Sequence, residues 1–376
     1  MRQFADIGRF SKRNRGMLRR ALDETIASGF LIGGPQVEKF EKEFAEFTGT
    51  EFAIGVGNGL DALRLSLQAL DIGPGDEVIV PGFTFYATWL AVAQVGATIV
   101  PVDVRLEDAT IDPERIRAAI TEKTKAIIVV HLYGNPANME AIMPIADAAG
   151  VHVIEDAAQA HGAQVGDTKV GGFGTIGCFS FYPTKNLGAF GDAGAVTTSD
   201  KNLYLKIKSL RSYGTTVDKF TFEGLGTNSR LDPFQASFLT HRLKKLPREN
   251  ARRSKTVKKY RDALPEHWGQ VVGPENTMQS VWHLCVVRSP EKQRLQEHLA
   301  AHGIPTDTHY PYWIGGQQNL SPFIFQNELL ENTCPNSKIL SETVVSLPLG
   351  PWVTKGLEKT IEKALKDLPF NGNRTQ

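Results

Sequence analysis

Cysteine is scarce: Cys178, Cys285 and Cys334 are the three in 376 residues, too few and too scattered for a disulfide framework or a zinc ribbon. A reducing compartment, the cytoplasm, and no bound metal are the expectation. Charge of one sign is equally lacking, since 42 Lys and Arg stand against 41 Asp and Glu and leave a net charge of +1. That balance excludes wrapping of nucleic acid or adhesion to an anionic membrane by bulk electrostatics, so partners must be sought at local sites. The opening MRQFADIGRFSKRNRG has no apolar stretch and therefore no secretory signal of the usual design. Val78 to Val102 runs 25 residues without a charge, long enough on length alone to span a bilayer. Pro81, Gly82, Gly96 and Pro101 cut it into strand, turn, helix and strand, and no membrane segment is expected. Internal repeats and low-complexity tracts are absent as well.

What is present is an ordinary globular composition, 41% hydrophobic and 22% charged, long enough for two domains. The runs AIGV, EVIV, TIVPV, AIIVV, VHVIE, CFSFY and AVTT alternate with segments of helical period, the punctuation of an α/β fold. Leu60, Leu63, Leu67 and Leu70 share one helical face, with Asp61 in the first turn. AIIVV and VHVIE are continuously apolar, as strands covered on both faces are, which predicts a mostly parallel central sheet flanked by helices. Between His241 and Arg261 the text holds ten Lys or Arg and one Glu. A long solvated helix joining two lobes is preferred there over a polyanion-binding surface. The strand WHLCVV, a helix near Glu291 to His302, and a last helix carrying Leu357, Ile361, Leu365 and Leu368 build a smaller α/β domain. The expected division is 1–245, a large domain with an N-terminal helical segment, and 246–376.

Three places carry chemistry. GVGNG, Gly55 to Gly59, is a glycine-rich turn between strand and helix, where free N–H groups and the helix dipole suit an anion. A dinucleotide fingerprint would need a sixth-position glycine where Leu60 stands, and EVIVPGF lacks the acid that should close the next strand. A lone phosphate cradle on Gly57 and Gly59 is preferred, and a ligand-free tight turn stays open. In VIEDAAQAHGA, Asp156 falls at the carboxyl end of a strand, where open α/β sheets bind ligands. Glu155 is read as a cap for a helix begun by AAQA. In FSFYPTKNLGAFGDAGAV, Lys185 sits among aromatic and small residues that would desolvate it, lower its pKa and free its amine. Ser180 offers a hydroxyl nearby. A phosphate cradle, a buried carboxylate and a nucleophilic lysine at strand ends together match pyridoxal phosphate.

With these residues in view, the chain resembles the sugar-nucleotide aminotransferases of the DegT/DnrJ/StrS family, which have the type I pyridoxal-phosphate fold. GGPQVEKFEKEFAEFTG, NGLDALRLSL, VPGFTFYATW, HLYGNP, EDAAQAHGA, the lysine block, LRSYG, NSRLDPFQA, HYP and SLPL carry the likeness over nearly the whole length. Lys185 lies 29 residues after Asp156, again as in the family. The resemblance implies that Lys185 forms the Schiff base and moves the proton, and that Asp156 partners the ring nitrogen. Gln159 would meet the phenolic oxygen, and Phe85 would stack on the ring. Ser180 with the Gly59 and Leu60 amides would hold the phosphate, and Asn228 would reach it from the second subunit of a homodimer. His309 and Tyr310 would contact substrate.

The implied reaction moves an amino group from glutamate to a keto-sugar nucleotide. The GDAGA turn and NGLDAL resemble members acting on 3-keto sugars, so a dTDP-3-keto-6-deoxyhexose is favoured over a 4-keto sugar. The chain departs from the family at Leu60, where a Thr hydroxyl is usual, and at Trp313 and Gly315, where Pro-x-His is common; the sugar contacts near those two residues are therefore altered. The rivals are a non-catalytic pyridoxal-phosphate or DNA-binding regulator using the basic stretch, and an NAD-linked dehydrogenase, weakened by Leu60.

Overall fold

The computed structural model describes residues 3–215, 220–222, 224–273, 278–325 and 330–369. Its centre is a sheet of seven strands: β1 (Phe52–Val56), β2 (Glu77–Pro81), β3 (Thr98–Val102), β4 (Thr124–Val130), β5 (His152–Asp156), β6 (Ile176–Ser180) and β7 (Gly194–Thr198). They lie in the order β1-β7-β6-β5-β4-β2-β3. β7 runs antiparallel to both neighbours, and the pairings β6-β5, β5-β4, β4-β2 and β2-β3 are parallel, so the expected mostly parallel sheet is found.

Helices cover both faces because successive strand residues point to opposite sides. In chain order these are α1 (Ile7–Ser28), α2 (Pro35–Thr48), α3 (Gly59–Ala69), α4 (Tyr86–Gln94), α5 (Pro113–Ala119), α6 (Met139–Ala149), α7 (Lys201–Leu210) and α8 (Pro233–Leu243). Val78, Val80, Ala126 and Ile128 pack with Leu63 and Leu67 of α3 and Trp89 of α4. Ile79, Ile127 and Val129 turn the other way, onto Ile116 of α5 and Ile142 of α6. Each such side chain removed from water contributes about 1.5 to 3 kcal/mol. Leu63 and Leu67, from the predicted leucine face, are both buried.

The basic stretch is helical, in α8 and then α9 (Leu246–Ala263). It is not simply solvated, however, and here the expectation is corrected. Arg242 and Arg253 are buried; Arg242 pairs with Glu249 at 2.9 Å, and Arg253 donates to the carbonyls of Trp282 and His283 at 3.2 and 3.1 Å. Beyond α9 come β8 (Gln270–Val271), β9 (Cys285–Arg288) and β10 (Val344–Leu347), an antiparallel sheet in that order. The longer helices that follow are α10 (Lys292–Ala301), α11 (Pro335–Thr343) and α12 (Lys355–Lys366). Val257 and Tyr260 of α9, Leu295 of α10 and Ile361 and Leu365 of α12 bury a core against that sheet. Trp313, Ile314, Cys334 and Leu340 instead sink into the core of the large sheet.

A second correction concerns the residues after β5. Residues 157–163 form turns, with no helix for Glu155 or Asp156 to cap. Glu155 is fully buried and acts as a clamp: its carboxylate accepts the N–H groups of Gly171, Phe173 and Gly174 at 2.7 to 2.8 Å and meets His131 Nε2 at 3.0 Å.

Candidate active site

The carboxyl ends of β1, β2, β4, β5 and β6 open on one cavity of about 490 Å³. Ligands in open α/β sheets collect at this edge. Gly59, Leu60, Phe85, Asp156, Gln159, Ser180, Lys185, His309 and Tyr310, all singled out from sequence, line it. Asn228 does not: it is exposed, and its backbone bridges to Ser212.

The cradle is built by the start of α3. Asn58 caps that helix by accepting the Asp61 N–H at 2.8 Å, and the first backbone bond of the helix is Ala62 N–H to Asn58 O. The Gly59 and Leu60 amides precede that bond and have the directionality an anion needs. A Cβ on Gly59 would lie 2.7 Å from Ser180 Cβ, so only glycine lets the helix start and the end of β6 close around one small space. Gly57, expected to share the anion, instead donates its N–H to Ser229 Oγ at 2.9 Å and lies outside the cavity lining.

Asp156 closes β5 with its carboxylate buried. Oδ2 accepts Thr88 Oγ1–H at 2.9 Å and Oδ1 accepts the Ala158 N–H at 3.2 Å. Burial nonetheless raises its pKa, against those two bonds and the charge of Lys185. An acid held this way gains from a cation brought against it, which is what a protonated ring nitrogen offers. Lys185 follows β6 in a turn closed by its own N–H to Tyr182 O. Burial brings its amine down to about 8, with Asp156 opposing the drop.

Gln159 is buried between two partners rather than on a solvated helix. Its Oε1 accepts the Tyr133 N–H at 2.7 Å, which fixes the amide so that Nε2 donates to Tyr310 Oη at 2.8 Å. Phe85 is half exposed at the head of α4, its ring 5.5 Å from that of Tyr310, and so is a wall of the cavity rather than a core aromatic. His309 Nδ1 meets Ser346 Oγ at 2.8 Å, and its carbonyl accepts Tyr133 Oη–H. Trp313 turns away into the core, and a Cβ on Gly315 would strike the Trp313 ring. The two departures at this point therefore seat a tryptophan; neither residue lines the cavity.

Sequence reading missed Thr84, Thr88, Asp192 and His283, which share the cavity or its first partners. Thr84 and Thr88 are the hydroxyl residues four apart in the otherwise apolar and aromatic text of TFYATW, a signal open to use. His283 was absorbed into a strand pattern.

The description of the DegT/DnrJ/EryC1/StrS aminotransferase family matches residues 14–366. The chain belongs to that family. Among relatives, it is 43% identical over 355 residues to a dTDP-3-amino-3,4,6-trideoxy-alpha-D-glucose transaminase of Streptomyces venezuelae, covering 94% of this chain and 92% of the relative. It is 40% identical to a dTDP-3-amino-3,6-dideoxy-alpha-D-galactopyranose transaminase of Aneurinibacillus thermoaerophilus, over 96% of this chain and 97% of that one. The crystal structure of S. venezuelae DesV, solved in complex with a ketimine intermediate, superimposes with a TM-score of 0.91 at 41% identity and 97% coverage of both chains. This DegT-family chain is thus an aminotransferase, on a fold whose solved members include one with bound pyridoxamine phosphate. No helix among the described residues is long and apolar enough to cross a membrane.

Proposed function

We propose that this aminotransferase holds pyridoxal 5'-phosphate in the cavity and moves an amino group from glutamate to a keto-sugar nucleotide, most specifically a dTDP-3-keto-6-deoxyhexose. The observation that carries the cofactor is the meeting of Asp156, Lys185 and the Gly59–Ser180 cradle in one cavity. The Gly59 and Leu60 amides and Ser180 would hold the phosphate, Asp156 the ring nitrogen, Gln159 the phenolic oxygen, Phe85 the ring face and Lys185 the aldehyde. When bound, the cofactor supplies an electron sink for charge developing on the donor's α-carbon.

The chain's own groups do the rest. Lys185, with an amine brought to about 8, is basic enough to take the α-proton and acidic enough to return it. Asp156 keeps a positive charge opposite itself, because ionising without one is disfavoured by its burial. Gln159 and Tyr310 tie the loop at His309 to the turn after β5, and Phe85 and Tyr310 wall the cavity.

The sugar assignment is supported by both of those relatives being transaminases of dTDP-3-amino sugars, together with the GDAGA turn and NGLDAL of this chain. Incubating the pyridoxamine form with matched 3-keto and 4-keto dTDP sugars, and locating the new amine by NMR, tests it. Amination at C3 is expected; amination at C4 alone overturns the regiochemistry and leaves the aminotransferase reading intact.

The working unit in this proposal is a homodimer in the cytoplasm, with the exposed Asn228 reaching the phosphate of the other subunit. Phe30, Leu31 and Ile32, at 52 to 72% exposure, and, separately, Leu225 at 94%, are the exposed apolar side chains that a second copy would cover in this proposal. The sequence division at 245/246 is kept for the two lobes, with Trp313, Ile314, Cys334 and Leu340 returning to the core of the large one. A DNA-binding regulator is disfavoured by the buried Arg242 and Arg253, which remove charge from the basic stretch. Steeply salt-dependent binding to duplex DNA would restore it.

A further inference from the structure

The residue after the lysine anchors a chain of buried amides that ends on a histidine. Asn186 donates through Nδ2 to the main-chain carbonyl of Val281 at 2.9 Å and to Asn250 Oδ1 at 3.0 Å. Asn250 in turn donates to the carbonyl of His161 at 2.9 Å. Carbonyls cannot donate, so both amides have one permitted orientation, and Asn186 Oδ1 is left as an acceptor facing His283 Nδ1 at 3.2 Å. The ring must therefore carry its proton on Nδ1. Nε2 is then a bare lone pair on a residue that lines the cavity with Lys185.

We propose that His283 is a positioning residue for the Lys185 amine, accepting a hydrogen bond through Nε2 whenever Lys185 carries the proton taken from the amino donor. This rests on the aminotransferase reading above. The alternative, that His283 is itself the proton carrier, conflicts with its surroundings. Burial, Lys185, Arg253, His309 and His161 all press the ring toward its neutral form, well below the usual histidine range, while Lys185 stays near 8. The proton accordingly remains on Nζ, and no bond to hydrogen breaks at His283. A protonated amine has three donors and rotates freely unless something accepts one of them. An acceptor fixed through Asn186, the neighbour of Lys185 in the chain, holds Nζ at one position between taking the proton and giving it back.

Two substitutions separate this role from a structural one. H283N keeps a donor at the Nδ1 position and so the bond to Asn186, but loses the acceptor. H283Q places an amide oxygen near the Nε2 position. We expect H283N to slow the colour change on adding glutamate about tenfold or more, the loss of one hydrogen bond to a charged group, with a larger isotope effect on α-deuterated glutamate. H283Q should recover most of the rate. A purely structural residue gives the reverse order, and an unchanged isotope effect in H283N overturns the proposal.

A second readout needs no cofactor and no variant: 15N chemical shifts of His283 in the cofactor-free protein. Nδ1–H with bare Nε2, untitrated across the neutral range, is expected; the opposite tautomer, or a ring that titrates there, refutes it. Wild-type protein that stays colourless with added pyridoxal phosphate would instead bring down the underlying reading. A yellow, glutamate-responsive wild type with H283N its equal would remove the role of His283 alone.

Discussion

The Lys185 amine sets the pH behaviour of the site. Brought to about 8, it is mostly protonated below that value and mostly free above it. Capture of pyridoxal phosphate by cofactor-free protein, followed by the growth of yellow colour, is expected to quicken with pH and level off above about 8. Borohydride should then fix the cofactor on Lys185, and a label mapped to another lysine refutes the assignment. Asp156→Asn removes the one anion that opposes the drop, so the same profile should move to lower pH. That variant is expected to keep cofactor and lose turnover by about a hundredfold or more, because a neutral amide cannot hold a proton on the ring. Near-normal turnover would show Asp156 to be structural. Lys185 and Asp156 were legible in sequence because what marks them is local: a strand end, a glycine-rich return, small neighbours. Thr88 and His283 were not, since Thr88 is 68 residues from Asp156 and His283 is 97 from Asn186. No spacing rule links such pairs before the sheet order is known.

At the level of elements, the cradle at the start of α3 depends on a missing side chain, and the turn that leads into β6 depends on a buried charge. Gly59→Ala would push a methyl into Ser180 Cβ and Cα, at 2.7 and 3.3 Å, and pry α3 from β6. The expected outcome is cofactor binding weakened about tenfold or more, with a fold otherwise retained, read by titration of the apoprotein. Glu155→Gln turns an amide N–H₂ toward donors from Gly171, Phe173 and Gly174. It should cost about 3 kcal/mol of stability, seen as a lower urea midpoint, since it leaves buried N–H groups unpaired. The seven strands could be read from apolar runs because each is sheathed by helices. The turns after β5 could not: AAQA has high helical propensity, yet it is held open by Asp156 accepting from Ala158 and Gln159 accepting from Tyr133. Tertiary hydrogen bonds overrode local preference there.

For the molecule as a whole, the exposed apolar surface at Phe30, Leu31 and Ile32 is the test of the proposed dimer. Leu31→Asp with Leu225→Asp should yield monomers in size-exclusion with light scattering, and those monomers, like Asn228→Ala dimers, should bind pyridoxal phosphate more weakly than the wild type. Full-affinity monomers would show that each chain completes its own phosphate site. One further property follows from the order of the strands. β1 has a single ladder partner, β7, and Phe52 pairs with Thr198. During synthesis at about 5 to 20 residues per second, the edge of β1 therefore waits roughly ten seconds for its mate. Through that interval Phe52–Val56 is an unpaired, apolar template of the kind that recruits other chains. Products released before Gly194 should therefore aggregate, and the growing polypeptide should depend on holdase chaperones more than the finished enzyme does.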